Sequence, residues 1–366
     1  MHRPEGAKLR HDRKMPVPVS RIASVAPTLP EFVYTQQQIT TELAPLISSV
    51  PARRSVLERL HAASGISRRH TALPLERYRE LGTFRQTNDI FIEVATELGE
   101  QAITAALAQA GLQSTDVDFI MFTSVTGISA PSVDALLVSR LGLRPNVKRL
   151  PSFGLGCVGG ASGIARVNDY LAGHPTEVGV LLSVELCSLT LQRDDETMAN
   201  FVATGLFGDG AAAVVLVGDD RPEPGIRILD TRSSFYPDTT EVIGWNVGHT
   251  GFEIVLTPGV AEVIERHFPD EVTAFLADNS LMIADVNAWI AHPGGPKILD
   301  AFAESLDLDP SVFAVSWETL DRVGNLSSAA VLHVLAATIA EGRRGAGLLF
   351  ALGPGVSAEF VLLELP

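Results

Sequence analysis

The stretch FGLGCVGGASGIARV, residues 153–167, sets one cysteine among glycines and then runs on with helical spacing. The glycines on either side of Cys157 permit a sharp turn from a strand into a helix. A thiol at a helix N-terminus meets the positive end of the dipole, which favours thiolate and therefore nucleophilicity. The other ordinary fate of such a cysteine is burial as a small inert side chain, and position alone leaves the two readings even.

Outward from this turn, the chain from about Ser20 alternates short β-rich runs with longer helical patterns, the mark of an α/β protein. Strands are expected at 118–124, 178–184, 211–217, 288–291 and 347–352. Several are continuously apolar, as strands buried on both faces are. Helices are expected at 88–110, 132–141, 160–172, 260–278, 296–305 and 326–341, where apolar residues recur near every 3.6 positions.

The order of these elements occurs twice. A helix and then STDVDFI (114–120) lead to TSVTG (123–127); later a helix and then IADVNAWI (283–290) lead to HPGG (292–295). A glycine-bearing turn next opens a helix in each half, GLGC (154–157) and VGNL (323–326). Buried strands close both halves, AAAVVLVG (211–218) and GLLFALGPG (347–355). Such order implies duplication of one unit with a join near 219–226. The expected organisation is a flexible N-terminal tail at 1–19, a half at 20–225 and a second half at 226–366.

Composition narrows the function classes. The 366 residues are 46% hydrophobic and 19% charged, enough apolar material for an extensive core. A net charge of -15 argues against nucleic acid, which needs a basic face. Two cysteines do not make a disulfide scaffold and suit a reducing, cytoplasmic setting. No apolar run approaches membrane-span length, so no membrane insertion is expected.

Two further residues join Cys157. His292, in WIAHPGGPKIL, follows an expected buried strand, where an imidazole can take a proton or donate to a developing oxyanion. Asn325, in DRVGNLSSAAVL, lies between a glycine and a helix start, as either a helix cap or an amide donor. All three fall at strand C-terminal ends or helix N-termini of the duplicated unit, and in open α/β folds those ends converge on one crevice.

The strings GLGCVGGASG (154–163), LFGDGAAAVVL (206–216), AHPGGPKIL (291–299), VGNLSSAAVL (323–332) and ALGPGVSAE (351–359) resemble those of the chalcone synthase-like type III polyketide synthases, over roughly residues 20–366. The resemblance implies a thiolase-like fold with a duplicated αβαβα layered architecture. It implies an acyltransferase in which Cys157 is the acyl-accepting nucleophile and His292 and Asn325 complete the triad. Acyl-CoA and malonyl-CoA would be the substrates, no metal or organic cofactor is required, and a homodimer is expected. Phe207 and Phe252 match aromatic residues at the active-site entry. Val125, Thr126, Cys187, Thr190 and Ser327 match cavity-lining positions.

For CoA, the basic set Arg53, Arg54, Arg59, Arg68 and Arg69 is the phosphate-binding candidate. Arg59 matches a CoA-binding arginine of the family. Two family lysines appear as Val56 and Ala63, and Lys297 is expected to take over part of their role. Cys187 stands where the family has a threonine, and with Val125 it makes the pocket less polar. The ELCSLT pattern (185–190) is closer to bacterial alkylpyrone and alkylresorcinol synthases, which points to a fatty acyl starter. Ala130 replaces a methionine that crosses into the partner's cavity in the family. Rival readings are a ketoacyl-ACP synthase III-like enzyme and a catalytically silent thiolase-fold scaffold. A Rossmann dehydrogenase is excluded, since no G-x-G-x-x-G follows the first strand.

Overall fold

The computed structural model describes residues 20–366, so the expected tail at 1–19 lies outside the described residues. The first half runs β1 (Arg21–Thr28), β2 (Phe32–Thr35), α1 (Gln36–Ile47), α2 (Pro51–Ala62), β3 (Arg68–Thr71), α3 (Phe84–Ala110), β4 (Phe119–Ser124), α4 (Val133–Leu141), β5 (Lys148–Phe153), α5 (Gly159–Ala172), β6 (Val178–Leu186), α6 (Met198–Leu206) and β7 (Asp209–Val217). The second half runs β8 (Ile226–Phe235), β9 (Ile243–Gly248), β10 (Gly251–Leu256), α7 (Gly259–Asp278), β11 (Val286–Ala291), α8 (Pro296–Ser305), α9 (Ala314–Val323), α10 (Ala330–Ala340), β12 (Gly345–Gly353) and β13 (Ser357–Leu365).

Strand pairing repeats between the halves. In the first, β1 pairs antiparallel with β7, β7 antiparallel with β6, β6 parallel with β4, and β4 parallel with β5. In the second, β8 pairs antiparallel with β13, β13 antiparallel with β12, and β12 parallel with β11. Among the described strands of this sheet only β5 lacks a counterpart. The halves join where β1 meets β8 at two residue pairs, Arg21↔Arg227 and Ile22↔Ile226, giving a nine-stranded mixed sheet in the order β11-β12-β13-β8-β1-β7-β6-β4-β5. The pairs β2–β3 and β9–β10 form small separate sheets.

Layering follows from which face each apolar side chain takes. Successive residues of β6 point to opposite faces. Val180, Leu182 and Val184 pack with Ala95, Leu98 and Ile103 of α3. Leu181 faces the other way, onto Ile164 of α5 and Leu332 of α10. The same middle core takes Ile290, Leu349 and Val361 from the second half, so α5 and α10 are covered by strands of both halves. On the far side Phe268 and Phe275 of α7 and Phe302 of α8 pack on Phe350 and Phe360. Every residue of β4, β6 and β7 is buried, which accounts for their unbroken apolar runs. The result is the expected αβαβα order, with its two central helices leading out of the Cys157 and Asn325 turns.

Candidate active site

At Phe153 the edge strand β5 ends, and the chain turns through Gly154 and Gly156 into one turn of 3₁₀ helix, Gly156–Val158, that runs on into α5. Gly156 has φ +57°, and a Cβ there would press into the Pro354 ring. Only glycine lets the turn fit beneath the 353–355 loop. Cys157 is thereby fixed at the head of α5 and buried. At the matching place in the second half, α9 ends at Val323 and the chain passes through Gly324, Asn325 and the turn Ser327–Ala329 before α10 starts. The Asn325 backbone is gripped from both sides: its N–H donates to Leu206 O and its carbonyl accepts from Gly208 N, both at 2.9 Å.

Directly after β11 comes His292. Its N–H donates to Phe350 O at 2.9 Å, its carbonyl accepts from Gly294 N at 2.9 Å, and among the described residues neither buried ring nitrogen has a hydrogen-bond partner. Asn325 connects this loop to the cysteine. Its Nδ2 donates to Gly294 O at 3.3 Å, its Oδ1 accepts from Ser327 N at 2.8 Å, and its side chain acts on the Cys157 thiol to lower it. Cys157 Sγ also lies 3.8 Å from Ser327 Oγ. Of the two roles considered for Asn325, the capping one is seen: the carbonyl end holds the following turn, while the amide end donates to the His292 loop.

Burial overrules the helix dipole at the thiol. It pushes Cys157 up to about 12; a hydrogen bond with Ser327 opposes this, and the charge of Glu185 adds to it. The thiolate that the helix dipole favours is not the resting form. Burial alone drives His292 down to about 3. The site therefore holds a neutral thiol and a neutral imidazole.

Glu185 is a part of the site that the sequence reading missed. Fully buried near the end of β6, it accepts from Ser124 Oγ (3.2 Å), Val125 N (3.1 Å) and Thr126 Oγ1 (2.9 Å) of the first half. From the second half it accepts from Ser328 N (3.4 Å) and the Ser328 hydroxyl. One carboxylate thus pins the loop after β4 to the Asn325–Ser328 turn. A lone charge in the otherwise apolar run VGVLLSVEL was the available signal.

Of the expected entry and cavity residues, Val125, Thr126, Cys187 and Ser327 are buried and Thr190 half-buried. Phe207 is half-buried, and its backbone pairs with that of Asn325. Phe252, on β10, is buried in an aromatic cluster with Phe84 (5.2 Å between centroids), Phe153 (5.8 Å) and Trp245 (6.3 Å). Arg59 and Lys297 are exposed, and no hydrogen bond or ion pair ties either down among the described residues. A Cβ on Gly65, in the loop after α2, would lie 3.5 Å from Pro296 at the start of α8, so that loop meets the helix carrying Lys297.

The rest of the basic set divides. Arg53 pairs with Glu196 at 3.4 Å, and Arg69 is buried away from solvent, so Arg69 does not belong to a phosphate-binding surface. Among the described residues no group of three or more His, Cys, Asp or Glu side chains is placed to hold a metal ion, and no helix is long and apolar enough to cross a membrane.

Comparison with known proteins matches this geometry to a family. Residues 18–221 match the N-terminal domain of chalcone and stilbene synthases, and residues 228–366 match their C-terminal domain. A 1,3,6,8-tetrahydroxynaphthalene synthase of Streptomyces peucetius is 48% identical over 94% of this chain and 92% of its own. An alpha-pyrone synthesis polyketide synthase-like protein of Mycobacterium tuberculosis is 30% identical over 96% of this chain and 92% of its own. Among solved structures, the 1,3,6,8-tetrahydroxynaphthalene synthase of Streptomyces coelicolor, a bacterial type III polyketide synthase, superposes with a TM-score of 0.89 at 30% identity. That match covers 94% of this chain and 99% of the other. The chain belongs to the chalcone and stilbene synthase family and is a type III polyketide synthase.

Proposed function

We propose that this enzyme joins malonyl-CoA units to an acyl-CoA starter held as a thioester on Cys157. The observation that carries the reading is the Asn325–Ser327 turn, which bonds to the His292 loop through Asn325 Nδ2 and meets the Cys157 thiol through Ser327 Oγ. In the first step the Cys157 sulfur attacks the starter's carbonyl carbon while His292 takes the thiol proton. The C–S bond to CoA breaks, CoA leaves as the thiol with that proton, and acyl-cysteine remains. Malonyl-CoA then loses carbon dioxide, and the electron pair of the broken C–C bond becomes a thioester enolate. Its oxygen accepts from the N–H of neutral His292 and from Asn325 Nδ2; one such donor contributes about 3 kcal/mol. The enolate carbon attacks the acyl-cysteine carbonyl and Cys157 leaves as thiolate. That thiolate then attacks the lengthened CoA thioester, its C–S bond breaks, CoA leaves as a thiolate that takes a proton from water, and the chain is again on the cysteine. No metal or organic cofactor enters these steps.

Phe207 and Phe252 are proposed as the entry, Arg59 and Lys297 as the CoA contacts, and Val125, Thr126, Cys187, Thr190 and Ser327 as the cavity wall. A homodimer working in the cytoplasm completes the reading; the exposed apolar residues Leu150 and Phe153 on the edge strand β5 support the dimer.

Two readings divide at the starter and product. Val125 and Cys187 in place of more polar residues support a fatty acyl starter closed to a pyrone or resorcinol. The 48% identity to a tetrahydroxynaphthalene synthase supports closure to a fused aromatic product. Incubation with malonyl-CoA and short, long and aromatic acyl-CoAs, followed by mass spectrometry, tests both. Products that vanish in Cys157→Ala support the reaction and identify the starter. A folded protein that forms neither adduct nor product with any starter would overturn it and leave a carrier-protein substrate or a silent scaffold.

A further inference from the structure

Strands β9 and β10 stand apart from the nine-stranded sheet, as a pair beside α6 and the Cys187–Thr190 turn. Of their residues only Gly251 and Phe252 are buried. A two-stranded hairpin is at best marginally stable by itself, so whatever holds this one decides where Phe252 stands. Packing alone does not hold it closely. Two small cavities border the pair, one of ≈ 40 Å³ lined by Trp245 and Ile254 and one of ≈ 70 Å³ lined by Thr250. Gln192 lines both.

Gln192 is only 5% exposed. Its Nε2 donates to Thr190 O at 3.2 Å and to Phe252 O at 3.1 Å, so both amide N–H groups are used and they go to different elements. Among the described residues this is the one hydrogen bond that ties the strands of the pair to another element. Gln192 is itself fixed from α6, where Asn200 Nδ2 donates to Gln192 O at 3.1 Å and to Asp195 O at 2.8 Å. Beyond the bonded carbonyl, the Phe252 ring packs on Phe153 at 5.8 Å between centroids, and Phe153 is the residue before the glycine turn to Cys157. The other entry aromatic is held likewise: Arg69 Nη1 donates to Phe207 O at 2.5 Å. Taking the donors from Gln192 would leave the Phe252 carbonyl facing a side chain that offers it nothing, and β10 would be free to shift.

We infer that Gln192 is a positioning residue for the entry: through the Phe252 carbonyl it holds β10 against the Cys187–Thr190 turn and so sets where the Phe252 ring stands beside Phe153. The assignment rests on the entry role of Phe252 and on acylation of Cys157 as proposed above. Gln192 acts on capture of the incoming acyl-CoA rather than on the thiol, because its bonds end at Thr190 and Phe252 and reach neither Cys157 nor His292.

The test is Cys157 acylation, read by intact-protein mass spectrometry over a range of concentrations of acetyl-, malonyl-, hexanoyl-, dodecanoyl- and benzoyl-CoA. Alkylation by iodoacetamide, small enough to need no ordered entry, is followed beside it. Gln192→Met keeps the length and loses both donors; Gln192→Glu changes one nitrogen to an oxygen. At pH 8 both variants are expected to need about tenfold more acyl-CoA for half-maximal rate, the size of one hydrogen bond at about 1.4 kcal/mol per tenfold. Their maximal acylation rates and their iodoacetamide rates should stay within about twofold of wild type. At pH 5 the new carboxyl is protonated, since burial raises it, and its O–H can again donate to Phe252 O. Gln192→Glu is then expected to come within about threefold of wild type, while Gln192→Met does not recover. Wild-type half-saturation in both variants at pH 8, equal losses towards acyl-CoA and iodoacetamide, or no recovery of Gln192→Glu at pH 5 overturns the assignment while leaving Cys157 acylation standing. Unfolding of both variants overturns it too, by placing Gln192 in the fold rather than at the entry. A wild type that iodoacetamide labels but none of the five acyl-CoAs acylates overturns the acylation itself and takes the assignment with it.

Discussion

A thiol pushed up to about 12 and an imidazole pushed down to about 3 are both uncharged across the ordinary pH range. Moving the proton from Cys157 to His292 makes an ion pair without net proton uptake or release. The reactive fraction therefore does not change with pH between the two values, and acylation through the pair should be flat from about pH 5 to 9. In His292→Ala the thiol must lose its proton to water. Its rate should then climb about tenfold per pH unit, because each unit nearer 12 raises the thiolate fraction tenfold. Alkylation of Cys157 by iodoacetamide at several pH values, with the adduct mapped by mass, separates the two. A wild-type rate that climbs as steeply as the variant's would mean that His292 is not the base. Cys157, His292 and Asn325 were legible in the sequence because each follows a strand or opens a helix in a glycine-marked turn. Arg69 and Glu185 were not, since a charged residue near a β-rich run reads as solvent-facing until its buried partners are seen.

Helix α5 holds the site together by docking its first turn on the Asn325–Ser328 turn. Gly160 is where they meet: a Cβ there would fall well inside contact of the Ser328 carbonyl oxygen, a backbone atom that cannot swing aside. Gly160→Ala should cost about 2–3 kcal/mol of stability and separate the Cys157 turn from Asn325. Urea unfolding followed beside the acylation rate checks both; a variant as stable and active as wild type would show that the turns can part freely. The same junction explains where the sequence misplaced an element. A helix was expected from 326, but α10 starts at Ala330. Asn325 Oδ1 takes Ser327 N–H, and Ser327 adopts φ +48°, so the chain turns once before it can coil. Strands β4, β6, β7, β11 and β12 were readable because both faces are buried. Strand β5, KRLPSF, was missed because it lies at the sheet edge, largely exposed, and carries no apolar pattern.

That edge is where the two halves of the molecule differ. At one end of the sheet β11 has five of its six residues buried, with Trp289 packed against Phe313 just ahead of α9. At the other end, among the described residues, β5 pairs only with β4, and its outer backbone groups have no strand beside them. Leu150 is 44% exposed there, Phe153 50% and nearby Ile128 44%. An open edge with three bare apolar side chains is a template for another strand. In the proposed homodimer a second copy would meet it through a two-fold axis, β5 against β5, with the same residues contributed from both sides. Phe153 would then be covered immediately before the turn that carries Cys157, so dimerisation would also steady the nucleophile. Leu150→Glu places a charge on each side of that axis and should weaken the dimer about hundredfold or more. Sedimentation of wild type and variant over a range of concentrations measures this. A wild type that sediments as a monomer at micromolar concentration, or a variant as firmly dimeric as wild type, would rule out β5 as the contact. A monomeric variant that still acylates Cys157, but more slowly, is the expected result if the second copy supports the turn rather than supplying a group to it.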